Sequence, residues 1–196
     1  MRKMSSKLNC MTVLIVLALA SLVQTVTAAE ATALELVKLG NDYVGKDARD
    51  KVVQIRSEKS VASTTPTIWY VVYYDADATF KASEVKFGAG KKMKVSRPAR
   101  MLEPVTGDNK VLDMSKVKTD SDAAIRIASA EPLLKPLTLK ATQLWLQRSD
   151  TGLVWKVKLW AAKLKNPLDN ANVGEVIISA EDGKVVRTDL HINSVD

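Results

Sequence analysis

Residues 174–187, GEVIISAEDGKVVR, have the pattern of a strand, a tight turn and the beginning of another strand. Asp182-Gly183 supplies the turn because glycine accepts a positive φ, and Val185-Val186 resumes extended structure. Residues 83–95, SEVKFGAGKKMKV, repeat this pattern in a weaker form. A pattern that occurs twice at corresponding points of a chain predicts two tandem structural units.

Each of the two stretches ends the same succession of elements. Residues 31–44, ATALELVKLGNDYV, have apolar side chains at helical spacing, and the strand patterns KVVQIRSEKS and TIWYVVYYD follow. A second helix pattern begins at Thr119 or Ser121 and is followed by TLKATQLWLQ and LVWKVKLWAA. We therefore predict an α+β fold of two tandem modules, each with one helix packed on a three-stranded antiparallel sheet. Chance similarity between two ordinary α+β segments is the alternative.

The alternation of side chains in the strands predicts which sheet face each helix covers. If residues 149–152, SDTG, close a tight hairpin, Leu146 lies opposite Trp155 on the face that packs against the helix, as Trp69 does in the first module. The other face then carries Gln143, Trp145, Gln147, Val154, Lys156, Lys158 and Trp160, and its equivalent in the first module carries Tyr70, Val72 and Tyr74.

Aromatic rings among lysines on an uncovered sheet face are typical of surfaces that bind other proteins. This pattern predicts a binding site that consists of Trp145, Lys156, Lys158, Trp160, Tyr70 and Tyr74. Trp145 lies opposite Lys156 in the predicted register, so we expect a cation–π contact between them. The alternative is that the two open faces pack on each other and form an interface between the modules.

The second module resembles the PepSY domain family in TDSDAAIRIASAEP, LVWKVKLW and GEVIISAEDGKVVR. The resemblance covers Asp120 to Thr188 well and Ala31 to Val95 weakly, because residues 90–92 of the first module read Gly-Lys-Lys where residues 182–184 read Asp-Gly-Lys. It implies a small non-catalytic α+β module of exported or membrane proteins. The family also occurs in propeptides of thermolysin-type metalloproteases and is proposed to inhibit peptidases. No catalytic residues come with the resemblance.

The first residues have the layout of a secretory signal peptide. MRKMSSK is basic, residues 11–23, MTVLIVLALASLV, are apolar, and VTAAE offers a small-residue cleavage site. The apolar run is short of the roughly 20 residues that cross a bilayer. We expect cleavage before Ala29 or Glu30 and a periplasmic or secreted mature chain; an uncleaved anchor is the alternative.

These patterns divide the chain into a signal peptide (1–28), a first module (29–96), a linker (97–118) and a second module (119–196). The only cysteine, Cys10, lies in the signal peptide, so we expect no disulfide and no thiolate metal site in the mature chain. Three of the 29 basic residues also lie there, which leaves 26 against 22 acidic ones and lowers the net charge from +7 to +4. A charge this mild does not indicate nucleic-acid binding.

Other chemical signals in the sequence are weak. Residues 86–100, KFGAGKKMKVSRPAR, lack the spacing of a phosphate-binding loop, and we interpret them as a solvated basic edge. His191 is the only histidine, and Asp75-Ala76-Asp77 lacks the glycine and glutamate of a calcium loop and predicts a turn. We expect no catalytic residues, no metal and no cofactor.

The sequence therefore predicts an exported, non-catalytic binding module that engages a protein, for example a peptidase that it inhibits or regulates, through an open sheet face. The alternative function is an envelope-associated structural protein that binds anionic polymer or lipid through the basic edge. An enzyme has the least support, because no nucleophile, base and orienting group can be assembled from these residues.

Overall fold

The structure is a computed structural model that describes residues 30–99 and 111–196. The predicted signal peptide and residues 100–110 of the predicted linker lie outside the described residues. The helices are α1 (Ala33–Gly40) and α2 (Ser121–Ser129). The strands are β1 (Val52–Ser57), β2 (Ile68–Tyr74), β3 (Ala82–Gly88), β4 (Lys91–Ser96), β5 (Leu139–Ser149), β6 (Gly152–Ala162), β7 (Asn170–Ser179) and β8 (Val185–Leu190). No helix in the described ranges is long and apolar enough to cross a bilayer.

All eight strands form one antiparallel sheet in the order β4-β3-β2-β1-β5-β6-β7-β8. Each half of the sheet is a four-stranded meander that follows one helix in the chain. The halves meet at β1 and β5, where Ile55 pairs with Leu146 and Arg56 with Trp145. We call this junction the seam.

The predicted fold of two separate three-stranded modules is therefore wrong. One reason is that the strand beginning after the turn in residues 83–95 is a full strand, β4, which pairs along β3. Ala89 has φ 47° and Gly90 has φ 73°, a pair of positive values that suits a tight hairpin turn. The chain reverses there and adds β4, and the turn at Gly183, with φ 73°, adds β8 in the same way.

The second reason is that the inner edges of the two meanders pair with each other. An unpaired strand edge leaves backbone groups without partners, and the seam removes two such edges. Hydrogen bonds from the end of β1 and from the loop after it extend the short ladder: the Leu144 amide donates to the Ser57 hydroxyl (2.9 Å), and the Ser60 amide donates to the Thr142 carbonyl (2.9 Å). The halves consequently share one sheet.

The two helices lie on the same face of this sheet, and their N-termini are hydrogen-bonded to each other. Thr32 and Glu35 form a capping box on α1, and Asp120 caps α2. Asp120 also accepts a hydrogen bond from the Leu34 amide (3.2 Å), and the Ser121 hydroxyl accepts one from the Ala33 amide (3.0 Å). These bonds satisfy amides that a helix leaves free at its start.

A continuous core lies between the helices and the sheet. Trp69 is 2% exposed and Trp155 is fully buried, which confirms the predicted burial of both tryptophans. The Trp155 indole donates to the Thr119 carbonyl at the start of α2 (2.8 Å), and the Trp69 indole donates to the Pro66 carbonyl (3.0 Å). Each ring therefore fills the core and also satisfies its polar atom.

Gly174 permits a close approach of β7 and β8. Its φ is 111°, and a Cβ placed on it would lie 2.0 Å from the Asp189 carbonyl oxygen. Only glycine fits this backbone geometry without strain. Pairing of the last two strands therefore depends on this residue.

Candidate functional site

The face of the sheet away from the helices is the candidate site, and we call it the open face. The predicted register of the β5–β6 hairpin is confirmed, because Leu146 pairs with Trp155 and Leu144 with Val157, and all four are fully buried. Trp145 pairs with Lys156 on the opposite side. The alternation that defines the open face in the second half is therefore correct.

The seam joins the open faces of the two halves into one surface. Arg56 of β1 pairs with Tyr70 of β2 on one side and with Trp145 of β5 on the other. Residues directly opposite each other in a sheet project from the same face. The alternative that the two faces pack against each other is therefore wrong, since they lie side by side in one sheet.

One register row crosses all eight strands on this face. It contains two aromatic residues, one isoleucine and five cations, and we call it the cross-strand row. Its members from β4 to β8 are Lys94, Lys86, Tyr70, Arg56, Trp145, Lys156, Ile177 and Arg187. With neighbouring strands about 4.8 Å apart, the row is roughly 34 Å long. It is an extended aromatic and cationic strip rather than a pocket.

Tyr70 lies in a dense polar cluster of the first half. The Arg56 guanidinium is 3.9 Å from the centre of its ring and the Lys86 ammonium is 5.0 Å from it. The Tyr70 hydroxyl donates to the Glu58 carboxylate, which also forms an ion pair with Lys86 (3.1 Å). The hydrogen bond from Tyr70, followed by that from Lys86, lowers the pKa of Glu58. Glu84 completes the cluster through an ion pair with Arg56 (2.8 Å).

Trp145 makes its cation–π contact with Lys158, whose ammonium lies 5.3 Å from the ring centre. The predicted contact with Lys156 is wrong. Lys156 instead forms an ion pair with Glu175 (3.0 Å), whose carboxylate is only 14% exposed and also lies 3.6 Å from Arg187. A partly buried carboxylate attracts the ammonium more strongly than a ring face does.

Trp160 lies near the end of β6, where the ammonium of Lys59 is 4.7 Å from its ring centre. Lys59 also donates to the Asn170 side-chain carbonyl (2.6 Å), which links the loop after β1 to the start of β7. A groove of about 520 Å³ runs beside these groups and includes two strongly exposed aliphatic residues, Val61 (87%) and Leu168 (95%).

Tyr74 is separate from the other predicted site residues. It lies at the opposite end of β2 from Tyr70, with the Lys51 ammonium 5.6 Å from its ring centre. Tyr74 packs in a small cluster that includes Val72 and Val53, and Val72 is fully buried there. The structure thus brings Tyr70, Trp145, Lys156 and Lys158 into one surface, places Trp160 at its end and leaves Tyr74 outside it.

The described residues in and beside the cross-strand row have an excess of positive charge. Its cations and acids are Arg56, Lys59, Lys86, Lys94, Lys156, Lys158 and Arg187 against Glu58, Glu84, Glu175 and Asp189. Seven cations against four acids leave a net charge of +3. Within the described ranges, the ammonium groups of Lys59 and Lys158 each lie over a tryptophan ring and have no ion-pair partner. A ring face leaves the charge of an ammonium group in place, so these two lysines keep their full charge at the surface.

Sequence reasoning did not identify Arg56, Lys59 and Glu175. Alternation in β1 would have placed Arg56 on the sheet face opposite to that of the buried Ile55. Its position beside Trp145 depends on the seam, for which the sequence has no local signal. Lys59 lies in a loop, where alternation gives no information about direction.

Polar groups also gather around His191, near the ends of β7 and β8. His191 lies 3.2 Å from Asp189 beside a recess of about 280 Å³ that Lys158 and Asn172 also line. No group of three or more His, Cys, Asp or Glu side chains that could hold a metal occurs in residues 30–99 and 111–196. Glu175 and Asp189 line the same recess, so it contains carboxylates as well as the Lys158 ammonium.

Asp75 has a structural role, and the predicted turn after β2 is confirmed. Its carboxylate accepts hydrogen bonds from the Asp77 amide (3.0 Å) and the Ser83 hydroxyl (2.5 Å), and it lies 3.2 Å from Arg97. Burial alone would raise the pKa of Asp75, but the bonds from Ser83 and Asp77 and the charge of Arg97 outweigh it and lower the pKa.

The structure is that of a mostly β protein, in which one antiparallel sheet has an aromatic and cationic face. No protein-family model, curated protein or solved structure matches the chain. The resemblance between residues 120–188 and the PepSY family stays a prediction.

Proposed function

We propose that this protein is a non-catalytic binding protein that holds an acidic surface of a partner protein on its open face. The cross-strand row is the observation that supports this proposal. It sets two aromatic residues between cations on a sheet face that neither α1 nor α2 covers. Aromatic and arginine side chains supply most of the binding energy in typical protein interfaces.

The way the cations are held favours an acidic partner. Lys59 and Lys158 lie over Trp160 and Trp145 and are not neutralised by a carboxylate of the described chain. An incoming carboxylate could approach each ammonium from the solvent side while the ring stays in contact with it. The partner would gain a charge-assisted hydrogen bond without breaking an existing ion pair.

The PepSY resemblance would make this partner a peptidase that the protein inhibits or regulates. That part of the proposal depends on the residues of the second half that carry the resemblance, and export depends on the predicted signal peptide. The open face supports binding in general and does not select a peptidase.

The experiment is a comparative capture from host envelope extract, analysed by quantitative mass spectrometry. The test variant is Lys59→Glu/Lys158→Glu, and the control is Lys38→Glu/Lys135→Glu, which reverses two lysines outside the open face. We expect the test variant to lose at least one protein that the wild type and the control retain. Equal retention by all three proteins would refute a role for the open face.

The strand β4 supports a second candidate, binding of an anionic polymer or lipid. Lys91, Lys92 and Lys94 are all exposed on this edge strand. Dextran sulfate and vesicles with anionic lipid are suitable probes. If this function holds, Lys91→Glu/Lys92→Glu will abolish a strongly salt-dependent binding that Lys59→Glu/Lys158→Glu leaves in place. The reverse order of effects would favour the open face.

A further inference from the structure

The sheet ends in two edge strands that differ in their protection. β4 carries three exposed lysines, and lysine on an edge strand disfavours pairing with another strand. β8 has the sequence VVRTDL, with neither lysine nor proline, and no described strand pairs with its outer edge. Val185 is 40% exposed and Val186 is 46% exposed. β8 is therefore the edge that remains open to a further strand.

The chain after β8 turns away from this edge. The Ser194 hydroxyl donates to the Asn172 carbonyl (2.8 Å), and the Leu164 amide donates to the Val195 carbonyl (2.8 Å). These contacts hold the C-terminal turn, Ile192–Val195, against β7 and the loop before it. The outer edge of β8 is consequently not covered by its own C-terminal residues.

The backbone of β8 points alternately toward β7 and toward the free edge. The His191 amide donates to the Val173 carbonyl (2.8 Å). Hydrogen-bonded pairs recur at every second residue of an antiparallel ladder, so Asp189 and Arg187 also direct their backbone groups toward β7. The amide and carbonyl of Thr188 then face outward, where another strand could pair with them.

The sequence of β8 is self-complementary about Thr188. Consider β8 of a second copy paired antiparallel with β8 of the first, with Thr188 on the two-fold axis. Arg187 of each copy then lies opposite Asp189 of the other, which gives two pairs of opposite charge. Val186 would lie opposite Leu190, at the point where the β7–β8 ladder shifts its register between Arg187 and Val185, so the regular part of the new ladder is Arg187 to Asp189. A cross-strand pair of opposite charges stabilises a sheet, whereas like charges destabilise it. On β4 the same operation would bring lysines together.

We propose that two copies of this chain pair through β8 and form one continuous sixteen-stranded sheet. Both Arg187 and Asp189 lie on the open face, since they pair with Ile177 and Glu175 of β7. A two-fold axis perpendicular to the sheet keeps the two open faces on the same side. The proposal goes beyond the binding function, because the dimer would present two cross-strand rows to one partner and increase its avidity.

The pairing of one six-residue strand is smaller than a standard interface, so we expect association at micromolar or higher protein concentration. Sedimentation velocity over a concentration series, with the same N-terminus in every variant, measures it. Arg187→Asp and Asp189→Arg should each weaken association about tenfold, because each replaces two attractive pairs by two repulsive ones. The double variant Arg187→Asp/Asp189→Arg should restore it, and Lys94→Asp on β4 should have no effect.

A second measurement does not depend on charge. Thr188→Cys in a Cys10→Ser background would place the two thiols on the axis, with Cα atoms about 5.5 Å apart, a distance that allows a disulfide. We expect a rapidly oxidised dimer, and no such dimer from Lys94→Cys. A wild-type protein that stays monomeric throughout the series, or a double variant no better than the single ones, would overturn the proposal. Monomeric wild type with intact partner capture would overturn the dimer alone and leave the proposed function in place.

Discussion

Replacing Trp155 by alanine should remove a large part of the protein's stability. The indole is fully buried, and a buried tryptophan removes up to about 250 Å² from water, equivalent to roughly 6 kcal/mol as an upper value. Measured Trp→Ala changes in protein cores cost about 3–5 kcal/mol. The variant also leaves the Thr119 carbonyl without its 2.8 Å donor, which adds about 1 kcal/mol. We expect a loss of roughly 4–6 kcal/mol from a total stability of about 5–15 kcal/mol.

Trp145→Ala is the matched control, because it removes the same side chain from the opposite face of the adjacent strand. Trp145 is only partly buried, and its specific partner is the Lys158 ammonium at 5.3 Å. A cation–π contact at such a site contributes about 0.5–1 kcal/mol. With its partial burial, we expect a total loss of roughly 1–2 kcal/mol.

Urea unfolding followed by far-ultraviolet circular dichroism measures both losses without depending on tryptophan emission. Trp155→Phe separates the two contributions of Trp155, since it keeps most of the packing and removes the hydrogen bond to Thr119. If Trp145→Ala lowers the free energy of unfolding as much as Trp155→Ala, the open face is covered in the native protein. The description of a surface available to a partner would then be wrong.

Three further changes test the packing and the electrostatics. Gly174→Ala should cost roughly 2–3 kcal/mol, because the new methyl group meets the Asp189 carbonyl at a positive φ, and loss of amide protection in β8 should accompany it. Tyr73→Phe removes a buried hydroxyl that donates to the Val37 carbonyl (3.0 Å), and thermal melts should show a loss of about 1 kcal/mol. Because folding lowers the pKa of Asp75, its carboxylate stabilises the protein at pH values above the ordinary pKa near 4. This stabilisation disappears as the pH falls through the lowered pKa. Asp75→Asn should therefore flatten the acid side of the stability curve.

Alternation within a hairpin could be predicted from the sequence because it follows from local geometry. Side chains of a strand point to opposite faces in turn, and the two-residue turn after Ser149 fixes the partner of every residue in β5 and β6. Once Trp155 was assigned to the core, Trp145 and Lys158 had to lie on the other face. The buried tryptophans and the open face follow from that single assignment.

The extent of β4 as a full strand could not be predicted, because the turn before it has an unusual backbone. Gly90 is an evident turn residue, but Ala89 also has a positive φ, which alanine adopts rarely. The sequence GAGKK consequently indicates the turn only weakly. β4 pairs with β3 across this turn from Glu84↔Ser96 to Gly88↔Lys91.

The lysine that contacts each aromatic ring could not be predicted from the sequence either. Lys156 is directly opposite Trp145, yet Glu175 from β7 attracts it and leaves the ring to Lys158. This outcome depends on a third strand, whereas the prediction considered only two. Pairwise register is therefore sufficient to assign a face but insufficient to assign contacts on it.

The seam makes the open face a property of the whole sheet. Arg56 lies between Tyr70 and Trp145 only because β1 pairs with β2 and β5 at the same time. Separation of the halves would expose the inner edge of β5, an eleven-residue strand, and would remove the cation that joins the two aromatic residues. The hydrogen bonds of Ser57 and Ser60 across the seam therefore support binding as well as folding, since they keep both rings in one row.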